Sequence, residues 1–515
     1  MGVAWLVINR RLRERGKISN IISVMIISGK VTVTAMYTMT EWIRRREIQE
    51  GSKIFINSFH QTSSNTNSRL KMEVQIISQK LIKPSTPTPS HLRNMELSFI
   101  DRIAPQAYSH VIFYYPVQRS LTIHDGNERC NKLEKSLSEI LTHHYPLAGR
   151  YLAENHMVEC NDEGAEYVEL KVRGELSQLL MEEPSDAELS TCFIPYGDEI
   201  STDILIPLKV RVHKFDCGGL VIAICISHSI ADGGGILSFM NGWATACREG
   251  LRQVNFPNFN LGSLFPARAT EFSTPVPEFN RLKLITKRFV FSGDSISKLK
   301  AKAMPKSGDV KRQPSKVKVV KSLIWKVLIG MSQMQHGKNR NSLMIFPVNL
   351  RGKTVLIPEN SCGNAYKLAV ARFTPEENEP DLDVLVSLLD DLLLKDAAQN
   401  AALENGDELF STVTNHMKEV NEEVSKGEAD IFLFSSWCRF PFYEVDFGWG
   451  KPSWVTGVNR PMELNILMDD KYGEGIEAWV TLEENHMVQF QQDQDIVAFS
   501  TNPSNQHQSF GQDSF

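Results

Sequence analysis

Leu220-Val221-Ile222-Ala223-Ile224-Cys225-Ile226-Ser227 runs directly into His228-Ser229-Ile230-Ala231-Asp232-Gly233, and Gly234-Gly235 follow. The unbroken apolar run reads as a buried strand. Ile236, Phe239, Met240, Trp243 and Cys247 then recur at i, i+3, i+4, i+7 and i+11, the stripe of an amphipathic helix. An imidazole thus sits between a buried strand and a helix, beside glycines that let a ligand approach the backbone closely. Upstream, Leu208, Val210 and Val212 alternate with Lys209, Arg211 and His213, a half-buried strand. Asp216-Cys217-Gly218-Gly219 turns that strand back, so a hairpin fixes where His228 emerges.

The rest of the chain mixes strands and helices in both halves. Apolar segments at 97–103 and 111–115 precede a helix over 131–141, with Leu133, Leu137 and Leu141 on one face. Residues 250–285 are rich in Pro, Asn and Phe without periodicity, and read as a crossover between two domains. Beyond it come a strand at 288–291, a helix at 317–331 and a strand at 343–347. A loop at 349–364 and helices at 382–394 and 407–426 follow, then strands at 431–434, 462–467 and 476–482. The expected fold class is α/β: a first domain over 72–249, a second over 286–501 and a disordered polar tail over 502–515.

Charge divides the chain differently. Of its 515 residues, the first 71 carry twelve Lys and Arg against four Glu, whereas the remainder carries 44 basic against 57 acidic residues. The leader reads either as an acid-poor organellar targeting peptide or as a disordered, non-native extension upstream of Met72. Its uncharged run at 18–29 is short for a membrane span, so no membrane anchor is expected. A net charge of -5 argues against nucleic acid as a partner. The eight cysteines are scattered without a CxxC pair, which suits a reducing, cytoplasmic setting and offers no zinc cage.

For the chemistry, His228 is the candidate base. Asp232, four residues on, either orients the imidazole or turns away to pair with an arginine and brace the loop. His-x-x-x-Asp also matches part of a metal site, but no third ligand or HExxH accompanies it, so no metal is expected. Neither a GxSxG elbow, a GxGxxG turn nor a GxxxxGK[ST] loop is present, which excludes the common serine-hydrolase, dinucleotide and P-loop readings. A second dense stretch runs from Ser435-Ser436-Trp437 to Asp446-Phe447-Gly448-Trp449-Gly450-Lys451-Pro452. Trp437 offers an indole donor to a reacting oxygen. Asp446, between aromatics and glycines, reads as a loop brace.

His228–Gly233 and Asp446–Gly450, little more than two hundred residues apart, together resemble the HxxxDG and DFGWG motifs of the plant BAHD acyltransferases. The resemblance covers roughly 72–504 and includes Tyr145–Arg150 and Asn349-Leu350-Arg351. The opening after Met72, Ser263-Leu264-Phe265-Pro266 and the stretch from Gly448 to Pro452 look most like the vinorine synthase-like branch of alkaloid and terpenoid acetyltransferases.

The resemblance implies a chloramphenicol acetyltransferase-like fold, two α/β domains facing one another across a solvent channel. It implies His228 as general base, with Asp232 and Asp446 the other two residues of its catalytic signature. Asp446 is nevertheless expected to be structural. Asp232 is implied to pair with an arginine, for which Arg351 is the candidate, and Gly233, Gly448, Trp449 and Gly450 support the two loops. Trp437 and Ser435 match the oxyanion and acceptor side. Lys321 and Ser322, at a helix start, are candidates for binding the CoA phosphates. The implied activity is acyl transfer, most simply acetyl, from acyl-CoA to a hydroxyl of a plant specialised metabolite such as an alkaloid. Acyl-CoA is then a co-substrate and the protein a monomer. The alternatives are a hydroxycinnamoyl- or benzoyl-CoA acyltransferase of alcohols or amines, and a non-catalytic binding protein that keeps the channel.

Overall fold

The computed structural model describes residues 24–27, 30–33, 53–57, 71–117, 125–181, 192–194, 204–268, 283–304, 313–375, 380–427, 429–457 and 462–501. The first half contributes strands β1 (Lys53–Asn57), β2 (Lys71–Ile82), β3 (Tyr108–Tyr115), β4 (Ala165–Val172), β5 (Leu208–Phe215) and β6 (Leu220–Ser227). It also contributes helices α1 (Asp125–Leu141) and α2 (Gly233–Glu249). From the second half come β7 (Leu284–Phe291), β8 (Asn341–Asn349), β9 (Tyr366–Phe373), β10 (Ala429–Ser436), β11 (Trp454–Gly457), β12 (Leu464–Asp469) and β13 (Ile476–Glu483). Its long helices are α3 (Lys316–His336), α4 (Leu382–Ala401) and α5 (Gly406–Ser425).

One sheet is ordered β11-β3-β6-β5-β4-β2-β1 and the other β7-β13-β12-β10-β8-β9. Both are mixed: β5 pairs parallel with β4, and β10 parallel with β8 and β12. The hairpin read from the sequence is present, with Leu208 opposite Ile226 and Lys214 opposite Leu220.

Every residue of β6 is buried. Ile222, Ile224 and Ile226 face the core that includes α1 and α2, whereas Val221, Ala223 and Cys225 face a second cluster with Leu176 and Phe193. A central strand covered on both faces must be apolar at every position, which is why this one reads as a continuous run. Its last residue delivers His228 into the turn before α2. Asp232 caps α2, its Oδ1 accepting from the Gly235 N–H at 2.9 Å; such a cap stabilises a helix by about 1 kcal/mol.

The second core packs α3 and α4 against the other sheet. Ser315 caps α3, and Gly337, in the left-handed region at φ 64°, ends it. The helix therefore runs five residues past the apolar stripe that marks it in the sequence. Likewise, α1 begins at Asp125 and α4 continues to Ala401, because polar turns extend a helix without contributing to its stripe.

The two halves interlock rather than part at 250–285. Strand β11 leaves the second half and pairs with β3, Trp454 opposite Tyr114. Phe442, Val445 and Phe447 belong to the first half's core, and the Tyr115 hydroxyl donates to the Val445 carbonyl at 2.9 Å. A domain assignment drawn along the chain thus gives 442–457 to the wrong side. Within the crossover, residues 250–268 and 283–285 are described and include short turns at Leu251–Gln253 and Leu261–Leu264. In the basic leader, β1 pairs with β2, and Val24–Ile27 pairs with Lys30–Val33. The remaining expectations for the leader, and those for the tail after residue 501, fall outside the described residues. No described helix is long and apolar enough to cross a membrane. All eight cysteines are free thiols.

Candidate active site

His228 is half-buried at the start of the turn after β6. Its backbone is held from both sides. The His228 N–H donates to the Ala107 carbonyl at 2.8 Å, and its carbonyl accepts from Asn364 Nδ2 at 2.7 Å. Asn364 is held in turn by Asp101, whose Oδ1 accepts from the Asn364 N–H and Nδ2 at 2.8 and 2.9 Å. Burial lifts the Asp101 carboxyl to about 6, against its bonds to Ser98 and Asn364. The Tyr366 ring meets the His228 imidazole edge to face, with centroids 6.3 Å apart. Nδ1 of the imidazole is buried.

Asp232 turns away from the imidazole. Arg351 grips it bidentately, Nη1 to Oδ2 at 2.8 Å and Nη2 to Oδ1 at 2.9 Å. The Ala365 N–H adds a bond to Oδ2 at 3.0 Å. Arg351 also donates to the carbonyls of Ser361 and Gly363, at 2.7 and 2.9 Å. The pair is buried and ties the first half to the loop between β8 and β9. Burial raises the Asp232 carboxyl, but Arg351 and the backbone donors outweigh it and hold the group below the usual carboxylate range. Of the two positions open to Asp232 in the sequence, the brace is the one observed.

A cavity of about 250 Å³ opens beside His228 between the two sheets. Ser109, His228, Gly233 and Gly234 line it from the first half; Ser435, Ser436 and Trp437 line it from the second. The Trp437 N–H and the Leu467 carbonyl are bonded at 2.7 Å, which fixes the backbone there. Its indole Nε1 lies 3.3 Å from where a Cβ on Gly233 would stand, and the Phe440 ring only 2.9 Å from that point. Glycine at 233 therefore keeps the space between the imidazole turn and the indole open. At 234, a Cβ would press on Arg351 Nη1 at 2.8 Å.

Asp446 does not line this cavity. Its Oδ1 accepts from the Gly448 and Gly450 N–H groups at 2.7 and 2.9 Å, and its carbonyl accepts from Arg248. Gly448 and Gly450 have φ of 105° and 104°, values only glycine adopts readily. Phe447 and Trp449 stack 5.5 Å apart, and both pack on Tyr115. Its inclusion in the catalytic signature is thus corrected: the carboxylate closes a loop on its own backbone. Asp446→Ala is expected to lower stability by about 1–3 kcal/mol, two amides losing their acceptor. Activity per folded molecule should persist, as thermal melts and assays on the soluble fraction will report.

Lys321 and Ser322 also depart from expectation. They lie in the second turn of α3, not at its open N-terminus, and are 6% and 0% exposed. Lys321 Nζ rests 3.8 Å from the centroid of Phe346, and burial lowers its amine to about 7. A CoA phosphate in solvent cannot reach a side chain so enclosed. Asp101, Asn364, Tyr366 and His416 belong to no motif in the sequence. The last lines the cavity from α5 with Val413, Met417 and Val420. That i, i+3, i+4, i+7 face is legible in the sequence, but nothing there distinguishes a channel wall from an ordinary core stripe.

The family model of the Transferase family matches residues 72–497. The chain belongs to the BAHD acyltransferases. Among curated relatives, the acetyl-CoA-benzylalcohol acetyltransferase of Clarkia breweri is 37% identical over 438 residues, 83% of this chain and all of the relative. Akuammiline synthase 1 of Alstonia scholaris is 35% identical, covering 83% and 98%. The crystal structure of vinorine synthase superposes with a TM-score of 0.69 at 30% identity, covering 84% of this chain and 100% of that one. This BAHD member thus has the chloramphenicol acetyltransferase-like α/β architecture, with its cavity where the halves meet.

Proposed function

We propose that this BAHD acyltransferase moves an acetyl group from acetyl-CoA to a hydroxyl of a plant specialised metabolite, with His228 as general base. The observation that carries the reading is the convergence of the His228 imidazole and the Trp437 indole on one cavity between the halves. The acceptor hydroxyl gives its proton to His228 while its oxygen attacks the thioester carbonyl. Negative charge then gathers on that carbonyl oxygen, where a fixed indole donor lowers the barrier without reorganising. The tetrahedral intermediate expels the CoA thiolate, which takes the proton back from the imidazolium, leaving ester and free thiol. One imidazole serves both transfers, first as general base and then as general acid.

Acetyl is favoured as the donor because the Clarkia breweri relative, named as an acetyl-CoA-benzylalcohol acetyltransferase, matches across its whole length. A panel of acetyl-, benzoyl- and hydroxycinnamoyl-CoA, each offered with benzyl alcohol, tests it: the acetyl thioester should give the highest kcat/KM. A preference for either aryl thioester would contradict the donor assignment. A monomer is the further proposal, since both walls of the cavity come from one chain, and the eight free thiols suit a reducing, cytoplasmic setting.

A further inference from the structure

We propose that Asn364 is a positioning residue for acyl transfer: its side-chain amide, aimed by Asp101, holds the His228 peptide so that the imidazole meets the acceptor hydroxyl, and it sets kcat rather than substrate binding. This rests on His228 acting as general base and adds the group that aims it. His228 lies one residue beyond β6. The turn that follows closes on Ser227, whose carbonyl accepts from the Ile230 and Ala231 amides at 3.0 and 3.2 Å. The His228 carbonyl instead takes a bond from the second half, from Asn364 Nδ2 at 2.7 Å.

The neighbours dictate how that amide is turned. The His228 carbonyl and Asp101 Oδ1 are both acceptors, so the NH2 group with its two hydrogens faces them and the amide oxygen faces away. That oxygen is buried and has no hydrogen-bond partner among the described residues. A buried acceptor left unpaired costs stability, which points to a constraint other than stability on this geometry. Asp101 holds the amide from the other side. Its Oδ1 accepts from the Asn364 N–H and Nδ2 at 2.8 and 2.9 Å, its Oδ2 from the Ser98 N–H and hydroxyl at 2.9 and 2.7 Å. Four donors thus converge on one buried carboxylate. Two residues beyond Asn364, Tyr366 packs edge to face on the imidazole and lines the cavity. Between them, the Ala365 N–H donates to Asp232. Three consecutive residues therefore hold the carbonyl of His228, its ring and the brace. A misplacement of about 1 Å in a reacting group costs on the order of a hundredfold in rate.

Asn364→Ala removes the bond to the His228 carbonyl, while the Asn364 N–H still reaches Asp101 and the Ala365 N–H still reaches Asp232. With acetyl-CoA and benzyl alcohol, kcat should fall about tenfold to a hundredfold and the KM of each substrate should stay in place. An unchanged kcat in the folded variant, or a loss carried by KM, would overturn the inference whatever the melting temperature. Asp101→Asn is the second variant and reads the same device where Asn364→Ala does not fold. Its amide has to turn a donor toward either Ser98 or Asn364, so kcat should fall several-fold, again with KM held. An unchanged kcat there would also overturn the inference. In the double variant the Asp101 change should add nothing to the loss already caused by Asn364→Ala, and full additivity would show that Asp101 does not act through Asn364. No ester from the native protein defeats the transfer reading, whereas native turnover matched by Asn364→Ala defeats this one.

Discussion

Replacing His228 with alanine is expected to lower kcat/KM by about 10²–10⁴, the range a positioned general base contributes. The fold should survive. The His228 backbone, not its ring, makes the bonds to Ala107 and Asn364 that set the turn, and these remain in the variant. The loss should fall mainly on kcat, because the imidazole acts as the proton moves rather than as the alcohol docks. A variant with full activity would remove His228 from the reaction.

The second large effect is on stability. Asp232→Ala, or Arg351→Met, should each cost about 3–5 kcal/mol in chemical denaturation, because either leaves an uncompensated buried charge. The double variant should be less destabilised than the sum of the two, since each loss already includes the shared interaction. The pH dependence has a defined sign. The folded-state affinity of Asp232 for protons is lowered, so its contribution is complete above the ordinary carboxylate value of 3.8 and is lost as pH falls below it. In the Asp232→Asn variant that acid-side loss should shrink, as unfolding measured across pH 2–5 will report.

How much of this was legible from residues alone differs element by element. The central hairpin and α2 were plain, because a strand buried on both faces and a capped amphipathic helix leave strong periodic signals. Strand β4 was not. Its Glu166 and Glu169, three residues apart and so on opposite faces, pair with Arg211 and Lys214 of β5 and interrupt the apolar alternation on both sides. Domain membership of β11 was hidden for another reason: a strand's sequence carries no record of which sheet it joins. At the site, the residues near His228 in sequence and the Trp437 stretch were found by motif. Asn364 and Asp101 were not, since they act on the His228 backbone from distant loops. Lys321 was misjudged because helix periodicity places a residue on a face but does not say what covers that face.

Product stoichiometry tests acyl transfer through the His228 channel most directly. The protein is incubated with acetyl-CoA and benzyl alcohol, and free CoA thiol and the acetate ester are both quantified. One ester should form for each thiol, both suppressed together in His228→Ala. Thiol released without ester, or ester formed equally well by the variant, would contradict it.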